Sequence, residues 1–439
     1  MPRPNILYLH SHDTGRYIQP YGHAVPTPHL QRLAEQGVVF RQAFCVSPSC
    51  SASRSGLLTG QSAHSSGMLG LAHRGFSLRD PREHLAHWLA DHGWHTALAG
   101  VQHETTGARV PELGYAEVLP TRGGAVAEVA PAAAAWLAAA SDATAPREPF
   151  FLAVGFSETH RAFPEVDPAH ARWARPPAPL PDTARTRLDM ACFIESARRF
   201  DDGVGQVLAA LDAAGLADNT LVLCTTDHGV AFPSMKANLT HHGTGVMLML
   251  RGPGGFAGGR VTDALVSQID VYPTVCELAG LERPPWLQGR SLLPLVRGEA
   301  EQVNEAVFTE VTFHAAYEPL RSVRTPRYSY VRRYDGRTTP VLPNCDDSLS
   351  KDELLAAGWR TRGIVGEALH DLVFDPHETH NVAADPAYAA VLDDLRARLA
   401  HWMRATDDPL LAGPVAPPPG AQVNDPDGLS PGEAVRVVG

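Results

Sequence analysis

Asn5-Ile6-Leu7-Tyr8-Leu9-His10 forms an almost uninterrupted apolar run near the start of the chain. A short apolar run of this kind is typical of a strand that is buried on both faces, as in a parallel sheet. Comparable runs follow at residues 96–99, 150–156 and 220–225, and segments with helical spacing lie between them. The alternation predicts an α/β fold in which helices cover both faces of a large, mostly parallel sheet.

Beyond residue 317 the pattern changes, and the strand predicted over 306–311 is the last one assigned to the large sheet. Short strands at 328–331 and 369–374 and a helix at 388–403 predict a smaller α+β unit with an antiparallel sheet. The last residues are rich in proline, glycine and valine and lack helical periodicity. We therefore expect a large α/β domain over residues 1–317, a small C-terminal α+β domain over 318–409, and an extended or disordered tail over 410–439.

Composition narrows the range of partners. The chain has 439 residues and a formal net charge of −11, from 37 Lys and Arg against 48 Asp and Glu. This balance opposes nonspecific binding to a polyanion, so we expect no nucleic-acid partner. No apolar run reaches membrane-spanning length, and the first residues lack the features of a signal peptide. Six scattered cysteines favour a reducing compartment over a disulfide scaffold. We expect a cytoplasmic protein without a membrane partner, and a homo-oligomer is compatible with the sequence.

Polar side chains follow four of the predicted strands: His12 and Asp13, His103, His160, and Asp227 and His228. Ligands bind beyond the carboxyl ends of the strands in open parallel sheets, so these positions carry more weight than the same residues elsewhere. The two pairs that contain an aspartate supply four nitrogen and oxygen donors, enough for a divalent cation with one open position. Any one of these residues alone is equally well explained as a loop residue or a helix cap.

A second signal is the run Cys50-Ser51-Ala52-Ser53-Arg54-Ser55-Gly56-Leu57-Leu58-Thr59-Gly60. It resembles the signature of the type I sulfatases of the alkaline phosphatase superfamily, in which the cysteine is oxidised to formylglycine. Hydrated formylglycine is a geminal diol, so one hydroxyl can attack sulfur while the other later expels sulfate. The family usually has proline where this chain has Ala52. A buried, inert thiol is the alternative for a lone cysteine.

The resemblance continues through Asn5-Ile6-Leu7, Thr27-Pro28-His29-Leu30, Lys236 and the segment from Val266 to Thr274. Its closest branch is that of the N-sulfoglucosamine sulfohydrolases, through Phe232-Pro233-Ser234 and Phe374-Asp375-Pro376-His377-Glu378-Thr379-His380-Asn381. The resemblance implies an alkaline phosphatase-like fold, a sulfated substrate, and a formylglycine-generating enzyme as a partner during maturation.

The resemblance also assigns roles to individual residues. Arg54 would hold the formylglycine, His160 and Lys236 would bind sulfate oxygens, and His103 would orient the diol or protonate the leaving oxygen. The metal ligands it implies are His12, Asp13, Asp227, His228 and the modified Cys50. Calcium is the metal expected from the family, whereas the imidazoles of His12 and His228 favour manganese or zinc.

Several positions depart from the pattern or stay open. The lysine that the family has two residues before His103 is replaced by Val101, and His73 or Arg74 are candidates to compensate. Glu310 and His314 are candidates to face the substrate, with surface placement as the alternative. For the tandem His241-His242, a solvated or substrate-facing position is favoured over a metal site.

These observations predict a sulfatase that hydrolyses a sulfate ester or sulfamate, with a sulfated carbohydrate as the favoured substrate. The alternatives are a phosphonate monoester or phosphodiester hydrolase of the same superfamily, and a catalytically silent protein that binds sulfated ligands. The absence of a lysine at position 101 favours sulfate over the more highly charged phosphoryl group. Ala52 and Val101, which depart from the family pattern, are compatible with the catalytically silent binding protein.

Overall fold

The computed structural model describes residues 3–140 and 149–439. Its strands are β1 Asn5–His10, β2 Val38–Phe40, β3 Ala43–Phe44, β4 His95–Gly100, β5 Glu117–Val118, β6 Phe150–Gly155, β7 Thr220–Thr225, β8 Leu248–Arg251, β9 Arg260–Thr262, β10 Val266–Ser267, β11 Val307–Phe313, β12 Tyr317–Arg324, β13 Tyr328–Arg333, β14 Glu367–Asp371, β15 Gln422–Asn424 and β16 Val435–Val437. Its α-helices are α1 Pro28–Gln36, α2 Cys50–Thr59, α3 Ala63–Ser66, α4 Leu85–Asp91, α5 Val126–Ala140, α6 Ala184–Ala213, α7 His241–Thr244, α8 Val271–Ala279, α9 Leu293–Arg297, α10 Leu349–Ala356 and α11 Ala389–Ala405.

The large sheet has eight strands in the order β5-β4-β6-β1-β7-β8-β2-β9. Strands β5, β4, β6, β1 and β7 run parallel to one another, and β8 is antiparallel to both β7 and β2. The predicted large, mostly parallel sheet is therefore confirmed. Because β4, β6, β1 and β7 are adjacent and parallel, their carboxyl ends lie along one edge of the sheet.

The central strands are covered on both faces, which explains their continuous apolar sequence. Along β1, Ile6 and Tyr8 pack into one core with residues of α2, α4 and α8. The alternate residues Leu7 and Leu9 pack into a second core with residues of α1, α5 and α6. This alternation determines the direction in which the polar residues at the end of each strand project.

The second sheet is antiparallel and has the order β11-β12-β13-β14, with α11 packed against it. A small C-terminal antiparallel sheet was predicted, and it is confirmed. The strand predicted over 306–311 does form, but it pairs with β12 in this sheet and not in the large one. The predicted division at residue 317 thus falls at the connection between two paired strands. The domain limits themselves remain a prediction.

The final segment is packed against the rest of the chain. Strands β15 and β16 form a hairpin, and Ala421 and Val423 are buried in the first core. The Arg74 guanidinium donates a hydrogen bond to Asn424 Oδ1 over 2.7 Å. Among the described residues, no helix is both long and apolar enough to cross a membrane, and all six cysteines are free thiols.

Candidate active site

The polar residues that follow β1 and β7 meet at the carboxyl edge of the sheet. Asp13 takes up a left-handed backbone conformation with φ of 50°, and its N–H donates to Asp227 Oδ1 over 2.7 Å. The His228 N–H donates to the same oxygen over 2.9 Å. Two backbone donors therefore fix Oδ1 of Asp227, and Oδ2 is directed toward Arg54 and His12. Both carboxylates are almost fully buried, at 0% exposed for Asp13 and 2% for Asp227.

Four residues at this edge form a set of donors that fits a metal ion. The donor atoms of His12, Asp13, Cys50 and Asp227 all lie within 4.8 Å of one another, and all four residues are buried. Burial and the positive charge of Arg54 lower the pKa of His12 to about 3, so its ring is neutral at pH 7. Its Nδ1 atom lies 3.2 Å from Asp227 Oδ2 without a hydrogen bond. A neutral imidazole and a carboxylate that face each other in this way are satisfied by a cation between them.

His228 completes the set from the other side. Its Nδ1–H donates to the Gly229 carbonyl over 2.9 Å, which directs Nε2 toward the two carboxylates. That Nε2 atom lies 3.3 Å from Asp13 Oδ1 and 3.8 Å from Asp227 Oδ2. A histidine ligand is normally oriented by such a hydrogen bond from its second nitrogen.

Cys50 is the first residue of α2 and points at the same place. Its Sγ atom lies 3.2 Å from His228 Nε2 and 3.9 Å from Asp13 Oδ1. All ten residues of α2 are buried, and the helix ends at Gly60 in a left-handed conformation that a side chain would strain. Burial raises the pKa of the Cys50 thiol well above its ordinary value, so an unmodified thiol here is a weak nucleophile.

Arg54 lies one turn into α2 and ties the helix to both strand ends. Its Nη2 atom donates to Asp227 Oδ2 over 3.0 Å and to the Ser11 carbonyl over 2.8 Å. Its Nη1 atom contacts His10 Nδ1. Burial, which alone would raise the pKa of Asp227, is outweighed by His228 and Arg54, and the pKa lies well below its usual range. Arg54 therefore positions a carboxylate of the candidate metal site as well as the helix that carries Cys50.

Lys236 is buried and bridges two carboxylates. Its Nζ atom lies 3.0 Å from Asp13 Oδ2 and 3.0 Å from Asp346 Oδ2. Burial, which alone would lower the pKa of Lys236, is outweighed by these two acids, and its pKa is raised well above the usual value. Asp346 was not predicted as a site residue. It does not directly follow a strand, and its local signal is an Asn-Cys-Asp-Asp run in the connection between the small-sheet strands β13 and β14.

His103 and His160 lie around His12, as their positions after β4 and β6 predict. The ring centroids of His103 and His160 lie 5.3 Å and 5.4 Å from that of His12. His73 stacks on His103, with 3.2 Å between His73 Nδ1 and His103 Nε2. Arg74 is instead engaged by the C-terminal segment. Of the two candidates to compensate for Val101, the structure brings only His73 to the site.

His314 and Glu310, candidates with His73 to face the substrate, have different surroundings. His314 is buried, and its Nδ1 atom lies 3.0 Å from the hydroxyl of Ser49, the residue before Cys50. Glu310 is 1% exposed and lies in a separate ionic cluster, 2.8 Å from His64 Nδ1 and 3.2 Å from Arg321 Nη2. The structure therefore places Glu310 neither at the surface nor with the strand-end residues.

The chain matches known families and structures over most of its length. A family model described as Sulfatase matches residues 4–281, and one described as N-sulphoglucosamine sulphohydrolase, C-terminal, matches residues 236–342. The chain is 31% identical over 469 residues to N-sulphoglucosamine sulphohydrolase of Homo sapiens, covering 93% of this chain and 92% of that protein. It is 25% identical over 475 residues to an ulvan-active sulfatase of Formosa agariphila, covering 92% and 76%. A solved 2-O GAG sulfatase superposes with a TM-score of 0.71 at 20% identity, covering 95% of each chain, which shows the shared fold.

Proposed function

Because the chain belongs to the sulfatase family of sulfuric ester hydrolases, which implies a metal ion and a formylglycine, we propose that it removes sulfate from a sulfated amino sugar. The observation that carries the proposal is the position of Cys50. It opens a buried helix and lies within 4 Å of both His228 and Asp13. A side chain at this point faces the donors of the metal site, where an attacking group is needed.

The proposal assigns the formylglycine and the metal ion to named residues. A formylglycine formed from Cys50 supplies a hydroxyl nucleophile once it is hydrated. A metal ion held by His12, Asp13, Asp227 and His228 supplies positive charge beside that nucleophile. The donor set of two carboxylates and two imidazoles favours Mn²⁺ or Zn²⁺, since Ca²⁺ prefers an all-oxygen shell.

The chain's own residues then bind and orient the sulfate. The N-terminus of α2 directs the positive end of its helix dipole at the position of Cys50, which favours an anion there. Lys236 adds a fixed ammonium that Asp13 and Asp346 hold in place. Preorganised charges of this kind stabilise the developing negative charge without reorganising during the reaction.

His103 is the residue placed to serve the leaving group. Burial and the positive charge of Arg54 lower the pKa of His103 to about 3, so the ring is neutral and offers one N–H to donate. The contact with His73 Nδ1 orients that ring. His103 therefore acts as a hydrogen-bond donor toward the bridging nitrogen or oxygen of the substrate.

An N-sulfo amino sugar is the substrate class we propose. Two findings support it: the 31% identity to the human N-sulphoglucosamine sulphohydrolase, and the match of residues 236–342 to the C-terminal model of that family. Lys236 and His314, which lie in the matched range, both lie at the site.

Peptide mass spectrometry across residue 50 tests the nucleophile. Cys50 is 1% exposed in the folded chain, so we infer that a formylglycine-generating enzyme acts before folding is complete. We expect the aldehyde form in protein from the native host. An unmodified thiol in an active preparation would overturn the proposed nucleophile, and a thiol in an inactive preparation would support the silent binder.

Sulfate release, followed by ion chromatography, tests the substrate. N-sulfoglucosamine, glucosamine 6-sulfate and a phosphodiester are compared at equal concentration, with Cys50→Ala as the inactive control. We expect the highest kcat/KM for N-sulfoglucosamine. A preference for glucosamine 6-sulfate would show that the enzyme cleaves sulfate esters. A preference for the phosphodiester would show that it is a phosphodiester hydrolase.

A further inference from the structure

A second histidine cluster lies outside the catalytic site. His241 and His242 open α7, and His377 lies in the loop that follows β14. One ring nitrogen of each lies within 4.8 Å of the others. The ring centroids are 3.8 Å apart for His241 and His242, 5.5 Å for His242 and His377, and 5.9 Å for His241 and His377. The cluster joins a helix of the large-sheet part of the chain to a loop of the small sheet.

His241 is oriented by a carboxylate. Its Nδ1 atom donates to Glu378 Oε2 over 2.8 Å, and its backbone N–H donates to the same oxygen. Glu378 is itself anchored, because Arg324 Nη2 on β12 donates to it over 2.6 Å. This arrangement leaves Nε2 of His241 with its lone pair available. A carboxylate that accepts from the far nitrogen of a histidine is the usual second contact of a metal-bound imidazole.

His242 provides the independent observation that points to a ligand. It is only 6% exposed, and its Nδ1 atom lies 3.0 Å from the Tyr17 hydroxyl. Its Nε2 atom is buried and has no hydrogen-bond partner among the described residues. Simple ring packing would leave this polar atom desolvated and unsatisfied, which buried polar groups rarely are. A bound ion would satisfy it.

His377 has the freedom to close the site. It is exposed, and neither of its ring nitrogens has a hydrogen bond within the described part of the chain. Two imidazole nitrogens bound tetrahedrally to zinc at about 2.0–2.1 Å lie about 3.3 Å apart. A shift of the exposed ring brings its nitrogen from the present spacing to that distance without disturbing a buried contact.

We propose that His241, His242 and His377 bind a divalent ion of the Zn²⁺ class, with a fourth position left for water. Three imidazoles suit Zn²⁺, Co²⁺ or Ni²⁺ and not Ca²⁺ or Mg²⁺. The bound ion would cross-link α7 to the loop after β14. This site shares no ligand with the proposed catalytic centre, so either proposal can fail without the other.

Metal counting on the full-length chain tests the site. Protein treated with a chelator is dialysed against excess Zn²⁺ and then against buffer, and bound zinc is measured by elemental analysis. We expect His377→Ala to bind one Zn²⁺ fewer per chain than wild type. The matched control is His380→Ala, an exposed histidine three residues further along the same loop that lies outside the cluster, and it should bind as much as wild type.

Two further measurements keep the test decisive. With Co²⁺ in place of zinc, the wild-type visible spectrum should contain a tetrahedral component that is lost in His377→Ala and kept in Cys50→Ala. His242→Ala should lose the same ion, and circular dichroism reports whether it is folded. Equal zinc content in wild type and His377→Ala, or an equal loss in His380→Ala, would overturn the proposal.

Discussion

Replacing Asp346 with asparagine tests the charge arrangement that holds Lys236. The Nζ–Oδ2 distance is 3.0 Å, and the side chains are 2% and 21% exposed for Lys236 and Asp346. Coulomb's law at this distance gives about 5 kcal/mol for an effective dielectric constant of about 20, which is an upper bound. Asparagine keeps the shape and an oxygen that accepts from Lys236, and water screens the exposed part. We therefore expect Asp346→Asn to lower the free energy of unfolding by about 2–3 kcal/mol.

Urea denaturation measures this loss, and Asp182→Asn is the matched control. Asp182 pairs with Arg187 over 2.6 Å, and the two side chains are 58% and 43% exposed. An exposed pair contributes about 0–1 kcal/mol, so the control should stay within that range. Since Asp346 holds the lysine that we propose binds sulfate, its variant should also lose about tenfold to a hundredfold in kcat/KM, whereas the control keeps its activity.

The effect should depend on pH in a defined direction. Burial, which alone would raise the pKa of Asp346, is outweighed by Lys236 and His314, and the pKa lies below its ordinary value of 3.8. A carboxyl with a depressed folded-state pKa stabilises the fold above its unfolded pKa, and this contribution is lost as the pH falls below it. The difference between wild type and variant should stay constant from about pH 7 to 5 and shrink below about pH 4. A loss below about 0.5 kcal/mol at pH 7 with full activity would show that Asp346 does not hold Lys236 in place.

Three other substitutions probe separate parts of the molecule. Cys50→Ser should reduce turnover at least about a thousandfold, measured by sulfate release, with an unchanged melting temperature, because only the nucleophile is lost. His12→Asp should raise the affinity for Ca²⁺ relative to Mn²⁺ at least about tenfold in competitive titrations, since an oxygen ligand replaces nitrogen; an unchanged ratio would remove His12 from the ligand set. Glu310→Gln should lower the free energy of unfolding by about 2–4 kcal/mol in urea, because it leaves the buried guanidinium of Arg321 without one of its carboxylates; a change near zero would show that Asp408 alone neutralises Arg321.

The fold was predictable where burial on both faces made the sequence continuous. Strands β1, β6 and β7 are apolar runs without charge, and helices such as α6 show clear spacing. The strand β11 was found but assigned to the wrong sheet, because its apolar alternation does not say which neighbour it pairs with. Pairing is set by the connection to β12, whose register with β11 only the folded chain reveals. The hairpin of β15 and β16 carried no periodic signal at all.

The candidate site was predictable where its residues directly follow strands. Topology places His12, Asp227 and His103 at one sheet edge once the strands are recognised, and the motif at Cys50 adds the helix. Asp346 follows no strand of the large sheet, and it reaches Lys236 only because the long connection between β13 and β14 folds back over the site. Only the structure shows that Glu310 lies outside the candidate site, since its partners His64 and Arg321 are remote in sequence.

The charge balance of the site predicts that sulfate binding depends on the metal ion. Counted without the histidines, the three carboxylates of Asp13, Asp227 and Asp346 outnumber the two cations Arg54 and Lys236 that contact them, which leaves one net negative charge. The chain as a whole is also acidic, with a net charge of −11. A divalent ion reverses the local sign to one positive charge, which suits a sulfate monoester anion. Isothermal titration with inorganic sulfate should therefore show binding to the metal-loaded Cys50→Ala variant and a loss of at least about tenfold in affinity after chelation. Equal affinity before and after chelation would mean that α2 and Lys236 alone supply the attraction.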